Sequence, residues 1–202
     1  MTNTTHTVKN TFYLDMDGVV ADWDLAAGLL LGREGRLREN INGTHYKTTP
    51  AEWQMLREHG RFYRDLPIMP KGQELVDLAR QYRDTLGWDL LFLTAVPKDD
   101  DVPWAFSDKV MWAQERFPDI GVHFGPHSTE KWRHCTAGDI LVDDREDNCA
   151  AWRSAGGLAV YVKSSDLTLA IEEVRWDLNR RISMKNMAQI NDFARMVVQG
   201  VI

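Results

Sequence analysis

Five short apolar runs, separated by segments of helical periodicity, constrain this chain more than any other feature. The runs cover residues 11–14 (TFYL), 88–94 (WDLLFLT), 120–124 (IGVHF), 139–144 (DILVDD) and 158–162 (LAVYV). Runs this short and this apolar fit strands covered on both faces. Residues 71–84 place Leu75, Leu78, Ala79 and Tyr82 on one helical face. Residues 103–117 start at Pro103 and place Phe106, Val110, Ala113 and Phe117 together. Residues 147–157 read as a short helix closed by Gly156. Strands alternating with helices predict a Rossmann-like α/β fold: a parallel sheet with helices on both faces.

One segment breaks the rhythm. Between the first strand and the helix near Lys71 there is no strand pattern, and aromatic and arginine residues are frequent: Trp23, Tyr46, Trp53, Phe62, Tyr63, Arg57, Arg61 and Arg64. A β-to-α connection needs far less chain, so we expect a small helical cap over residues 24–65. The core domain is then residues 11–23 and 66–165, preceded by a flexible start at residues 1–10. The tail, residues 166–202, reads as two helices, about 166–181 and 184–199. Ile171, Val174 and Leu178 mark the apolar face of one, and Phe193, Met196 and Val197 that of the other. Such faces pack on the core or on a second subunit, which leaves a homodimer open.

The chain has 202 residues, 44% of them hydrophobic and 27% charged, with a net charge of -6. A nucleic-acid polymer is an unexpected partner for an acidic chain of this kind. The first ten residues contain no apolar core of a signal peptide, and no run approaches the ~20 apolar residues that span a membrane. The two cysteines, Cys135 and Cys149, do not make a Cys-x-x-Cys pair or a disulfide framework. A cytoplasmic protein is expected.

In an open parallel sheet, ligands bind at the carboxyl ends of the strands. Strand one ends in Asp15 and Asp17, strand two in Thr94, and strand four in Asp143 and Asp144; Lys131 precedes strand four. Acids of this kind are rarely buried without a partner or a metal. The carboxylates suit Mg²⁺, a hard cation that favours few protein carboxylates and a phosphate oxygen. Lys131, the Thr94 hydroxyl and turn N–H groups can hold the remaining phosphate oxygens. Asp15 is then free to attack phosphorus, giving an aspartyl-phosphate, while Asp17 serves as acid and base. Gly18 permits the tight turn that brings Asp17 to the leaving group. An EF-hand is excluded, because Val19, Val20 and Ala26 stand where oxygen ligands, Gly and Glu are required.

These motifs resemble those of the haloacid dehalogenase (HAD) superfamily of phosphatases. DMDGVVAD (residues 15–22) is similar to motif one, LFLTA (91–95) to motif two, Lys131 to motif three and ILVDDRED (140–147) to motif four. Order and spacing agree from residue 11 to about residue 162. Within the superfamily, DMDGVVADW, FYRDLPIMPKGQEL, PWAFSDKVMWAQERF, EKW and LVDDRED resemble the 5'(3')-deoxyribonucleotidases. The resemblance implies Mg²⁺-dependent hydrolysis of nucleoside monophosphates, with Asp15 as nucleophile and Asp17 as acid and base. It implies Asp15, the Asp17 carbonyl and Asp143 as metal ligands, with Asp144 the other candidate of its pair. It implies phosphate held by Thr94 and Lys131, with Lys98 or Lys109 in support. Ala95 stands where that family often has a small polar residue, which leaves only its backbone N–H as a donor. Trp23 and Phe62 are candidates for stacking on a base, which tolerates any base. Arg145 is expected to pair with Asp143 and Asp144 or to reach the substrate, and the other tryptophans to pack.

Three rival readings remain at this level. The same chemistry could serve a sugar phosphate or another small metabolite. A non-catalytic nucleotide-binding protein could keep the fold, although its site would usually have lost one of these groups. A glycosyltransferase using D-x-D leaves Lys131 and the second acid pair without a place.

Overall fold

The computed structural model describes residues 9–37, 47–97, 102–125, 127–163 and 166–199. Lys98 and the charged loop at 98–101 lie outside the described residues, as does the expected flexible start up to residue 8.

The strands are β1 (Thr11–Leu14), β2 (Asp89–Thr94), β3 (Gly121–Phe124), β4 (Ile140–Asp143) and β5 (Leu158–Tyr161). Each agrees with its apolar run to within a residue at either end. They form one parallel sheet in the order β3-β2-β1-β4-β5. Side chains alternate between faces along a strand, so neighbouring residues of β1 enter different cores. Phe12 and Leu14 join the larger cluster with Leu90, Phe92, Ile140 and Val142. Tyr13 joins the smaller one with Leu93, Leu141, Cys149 and Trp152. All four residues of β1 are buried, as a central strand covered on both faces requires. Truncating Phe12 to Ala would cost on the order of 3–5 kcal/mol.

The helices are α1 (Trp23–Leu30), α2 (Pro50–His59), α3 (Gly72–Gln81), α4 (Ala105–Arg116), α5 (Glu146–Ser154) and α6 (Thr168–Val198). A π-helical turn, Tyr82–Leu86, extends α3, and a 3-10 helix, Ser128–His134, precedes β4. Helices α1 and α2 occupy the aromatic-rich segment. Asp22 caps α1 by accepting from the Leu25 amide at 3.3 Å, and Arg36 clasps the same carboxylate. Thr49 and Glu52 form a reciprocal capping box at the start of α2, Pro50 fits its first turn, and Gly60 closes it at φ 79°. The segment joins the sheet through two adjacent backbone contacts: Asp22 N–H donates to Pro67 O and Met69 N–H to Val20 O, both at 2.8 Å. Its residues Trp23, Ala27, Leu56, Phe62 and Tyr63 share the larger cluster with the sheet, so packing is continuous across the junction.

Two helical expectations change. Phe106 is exposed and stacks on Phe124, with ring centroids 4.2 Å apart. Ala113 and Phe117 are buried as expected, but the rest of the buried face of α4 carries Asp108, Lys109 and Trp112, because this helix lies over polar strand ends as well as the core. The tail is one helix, α6, and not two. Between the two expected helices the Ser183 hydroxyl donates back to the Asn179 carbonyl at 2.9 Å, and the helix runs on unbroken. Ala170, Ile171, Val174 and Leu178 bury the first half against the core. No helix among the described residues is long and apolar enough to cross a membrane.

Candidate active site

The chain leaves β1 for β2 and β3 on one side of the sheet and returns to β4 and β5 on the other. A crevice therefore opens at the carboxyl ends of the central strands, where such folds bind ligands. A cavity of about 470 Å³ lies there, within the range usual for small-molecule sites. Asp15, Asp17, Thr94, Ala95, Lys131, Asp144 and Arg145 line it from the sheet side, as do Ser128 and Asn148. Trp23, Lys47, Thr48, Trp53 and Tyr63 line it from the inserted segment.

Lys131 organises the floor. Its ammonium, 2% exposed, lies 2.7 Å from Asp15 Oδ1 and 2.7 Å from Asp143 Oδ2. Burial pulls its pKa down, but Asp143 and Asp15 more than offset this and hold it above the ordinary lysine value. Asp143 is fully buried and does not line the cavity. Its oxygens accept from Lys131, from the Arg145 amide at 2.9 Å and from Asn148 Nδ2 at 3.0 Å. Burial pushes the Asp143 carboxyl up; Lys131 opposes that and Asp15 reinforces it. Asp144, the next residue, does reach the cavity. Asp15, Asp143 and Asp144 each bring an oxygen within 4.8 Å of the other two.

The turn after β1 is tight. Met16 O accepts from the Val20 and Ala21 amides, and the Met16 amide donates to Asp15 Oδ1 at 2.7 Å. Gly18 sits at φ 79°, where a Cβ would come within 2.3 Å of Asp144 Oδ2. Only glycine fits between the two acid pairs.

Lys109, from α4, is a second buried lysine. Its ammonium donates to Asp17 Oδ2 at 2.6 Å, Thr94 Oγ1 at 2.8 Å and Ala95 O at 2.7 Å. It also lies 4.9 Å from the centre of the Tyr63 ring. It does not line the cavity, so it braces Asp17 and Thr94 from behind. Asp17 Oδ1 is buried with no hydrogen-bond partner among the described residues.

Other expectations are corrected by this geometry. Phe62 is buried behind the wall, edge-on to Trp23 and Tyr63, and does not line the cavity. Trp53, expected only to pack, does line it, with its ring 6.1 Å from that of Trp23. Of the two placements expected for Arg145, the reach toward the substrate is the one the geometry allows: it lines the cavity, and its guanidinium donates to Ser128 Oγ at 3.0 Å. Lys98 lies outside the described residues. Lys47, Thr48, Tyr63, Ser128 and Asn148 were not singled out as site residues from sequence. Asn148 carried one usable signal: it lies one helical turn beyond Asp144.

No family model matches the chain. Curated relatives in Staphylococcus epidermidis and Staphylococcus aureus bear the name "Putative 5'(3')-deoxyribonucleotidase". The first is 33% identical over 139 residues, covering 65% of this chain and 72% of the relative. The second is 31% identical over 144 residues, covering 67% and 74%. Among solved structures, a defluorinating L-2-haloacid dehalogenase aligns with a TM-score of 0.43 at 11% identity, covering 76% of this chain and 80% of that one. A hydrolase from Streptococcus pneumoniae aligns with a TM-score of 0.44 at 11% identity, covering 81% and 98%. Neither structural likeness is close enough to bear on activity; the sequence relatives carry the assignment. The chain belongs to the 5'(3')-deoxyribonucleotidase family of hydrolases.

Proposed function

We propose that the protein is a Mg²⁺-dependent phosphomonoesterase acting on nucleoside monophosphates through an aspartyl-phosphate on Asp15. The observation that supports this most is the convergence of Asp15, Asp17, Thr94, Lys131 and Asp144 on one cavity walled by Trp23, Trp53 and Tyr63. The names of the staphylococcal relatives point the same way.

The three clustered carboxylates offer hard oxygen ligands and so fit Mg²⁺. Asp15 and Asp144 would hold the ion, with the Asp17 carbonyl. Asp143, expected as a direct ligand, is better read as the anchor of Lys131, since its oxygens already accept from three groups. When bound, Mg²⁺ would neutralise charge on the phosphoryl oxygens.

Lys131, together with the Thr94 hydroxyl and the Ala95 amide, would hold the phosphoryl group in line with Asp15. Lys131 and the Met16 amide both engage Asp15 Oδ1, which leaves Oδ2 to attack. The Asp15–phosphorus bond forms as the ester P–O bond breaks, and Asp17 donates a proton to the leaving oxygen. Asp17 then takes a proton from water, which attacks phosphorus, releases inorganic phosphate and restores Asp15. The tryptophans and Tyr63 would receive a base, and Lys47 and Arg145 line the same cavity. On this reading residues 24–65 act as a cap that reads the substrate. Two free thiols support a cytoplasmic setting.

The test is phosphate release from ribo- and deoxyribonucleoside 5'- and 3'-monophosphates and from sugar phosphates, with Mg²⁺ or with EDTA. We expect Mg²⁺-dependent release from a subset of the nucleotides. Release from sugar phosphates alone would overturn the nucleotide reading, and release from nothing would overturn the enzyme reading.

A further inference from the structure

We propose that the last half of α6 is a dimerisation arm that pairs antiparallel with the same segment of a second copy. Every residue from 183 to 199 is exposed, although the helix continues to Val198. The last tie to the body among the described residues is Lys185, whose ammonium donates to the Thr85 carbonyl at 2.5 Å. An unsupported helix of this length is marginal in water, so the arm needs a partner to stay folded.

The arm carries an apolar seam. Met187, Ile190, Ala194 and Val197 recur at intervals of three, four and three residues, the spacing that faces one helix toward another. Phe193 and Val198 flank the seam. Met187, Ile190, Phe193 and Val197 are each at least half exposed. With Val198 they offer on the order of 500 Å² per copy, so two copies together reach the ~1,000 Å² that a specific interface needs.

The occupant follows from what else is available. The segments of this chain outside the described residues are short: MTNTTHTV, RENINGTHY, KDDD and the three-residue GVI among them. None has an apolar face to match the seam. A lipid surface would favour a cationic polar face. Between Met184 and Gln199 the only charged residues are Lys185, Asp192 and Arg195, and all three point away from the seam on a helical projection. A second copy offers the matching uncharged stripe. Antiparallel pairing centred on Asp192 sets Ile190 against Ala194 and Met187 against Val197. Each layer then joins a larger and a smaller side chain, whereas parallel pairing would leave an Ala–Ala gap.

The full chain at concentrations from about 1 to 100 µM, measured by light scattering after gel filtration, tests this. We expect twice the 23.2 kDa chain mass. Ile190→Glu with Val197→Glu should raise the dimer dissociation constant at least a hundredfold and leave phosphate release within twofold of the parent. A parent of single mass throughout, or a doubly substituted protein that stays dimeric, would overturn the proposal. Sedimentation of a monomeric parent with phosphatidylglycerol vesicles would give the face to lipid instead, and overturn it equally. Oxidation of a mixture of Met187→Cys and Val197→Cys chains should favour mixed 187–197 dimers. Same-position dimers in excess would overturn the antiparallel arrangement.

Discussion

Lys109 Nζ lies 2.6 Å from Asp17 Oδ2, a contact between the buried face of α4 and the turn after β1. The ammonium is 1% exposed, so the pair is fixed and not a surface association. Lys109→Met should free the Asp17 carboxylate to rotate and remove the donor to Thr94. Turnover is expected to fall by about tenfold or more, since a mispositioned proton donor loses part of a ~10²–10⁴-fold contribution. KM should move less than kcat. Steady-state kinetics on the folded protein checks this, and an unchanged kcat would remove Lys109 from the site's support.

Asp15→Asn should abolish phosphate release, because the amide cannot act as the nucleophile. The chain should still fold, because Asp143 continues to neutralise Lys131 at 2.7 Å. Circular dichroism with a phosphate assay separates the two effects. A folded, active Asp15→Asn protein would refute the aspartyl-phosphate route.

Gly18→Ala should damage the site without a buried cavity or a lost charge. The new methyl would collide with Asp144 Oδ2, and a left-handed φ of 79° strains any side chain. We expect weaker Mg²⁺ binding, read as a higher metal concentration for half-maximal activity, and a lower Tm. Wild-type values of both would show that the turn has slack.

Acid sensitivity should centre partly on Asp119, away from the cavity. The Arg80 guanidinium holds its carboxyl far below the ordinary carboxylate range; burial opposes this and Arg83 adds to it. A carboxyl lowered in the folded state stabilises fully above its unfolded pKa of about 3.9, and that contribution fades as pH falls below it. Asp119→Asn should therefore lower stability at pH 6 and differ little from the parent near pH 2. Solvent screening at this part-exposed site limits the effect to about 1 kcal/mol or less. Urea titrations across pH measure it, and a difference that grows toward acid would contradict the sign.

Cys149 should be chemically silent in the native protein. Burial, and then the nearby Asp143, push its thiol up to about 12, so almost no thiolate exists at neutral pH. A thiol reagent at pH 7.5 should label Cys149 only after denaturation, as peptide mapping would show. Rapid native labelling there would mean that the small core opens readily.

The sheet was legible because its strands are short apolar runs buried on both faces, and burial that complete needs no partner information. Asp15, Asp17, Thr94 and Lys131 were legible because strand ends and their order announce them. The cavity wall was not. Trp53 and Phe62 look alike in sequence, yet one lines the cavity and the other lies behind Trp23; the difference arises only from how α2 docks. Lys109 was equally ambiguous, since an apolar periodicity centred on Phe106 turns α4 the wrong way and hides the lysine's inward aim. Asp143 and Asp144 are adjacent in the chain, yet at the end of β4 only the second reaches the cavity while the first is buried beneath it, a difference their shared residue type conceals.

The two ends of the inserted segment leave the sheet side by side, with Asp22 bonded to Pro67 and Met69 to Val20. Whatever lies between these ties, its length is invisible to the strands. The acid, hydroxyl and lysine groups on the floor belong to the sheet side, so an insert that kept the buried Ala27, Leu56, Phe62 and Tyr63 could change elsewhere without moving them. On the proposed function, substrate choice and phosphoryl chemistry would rest on separate parts of the chain, and altering the exposed face of the insert would retarget the one without rebuilding the other.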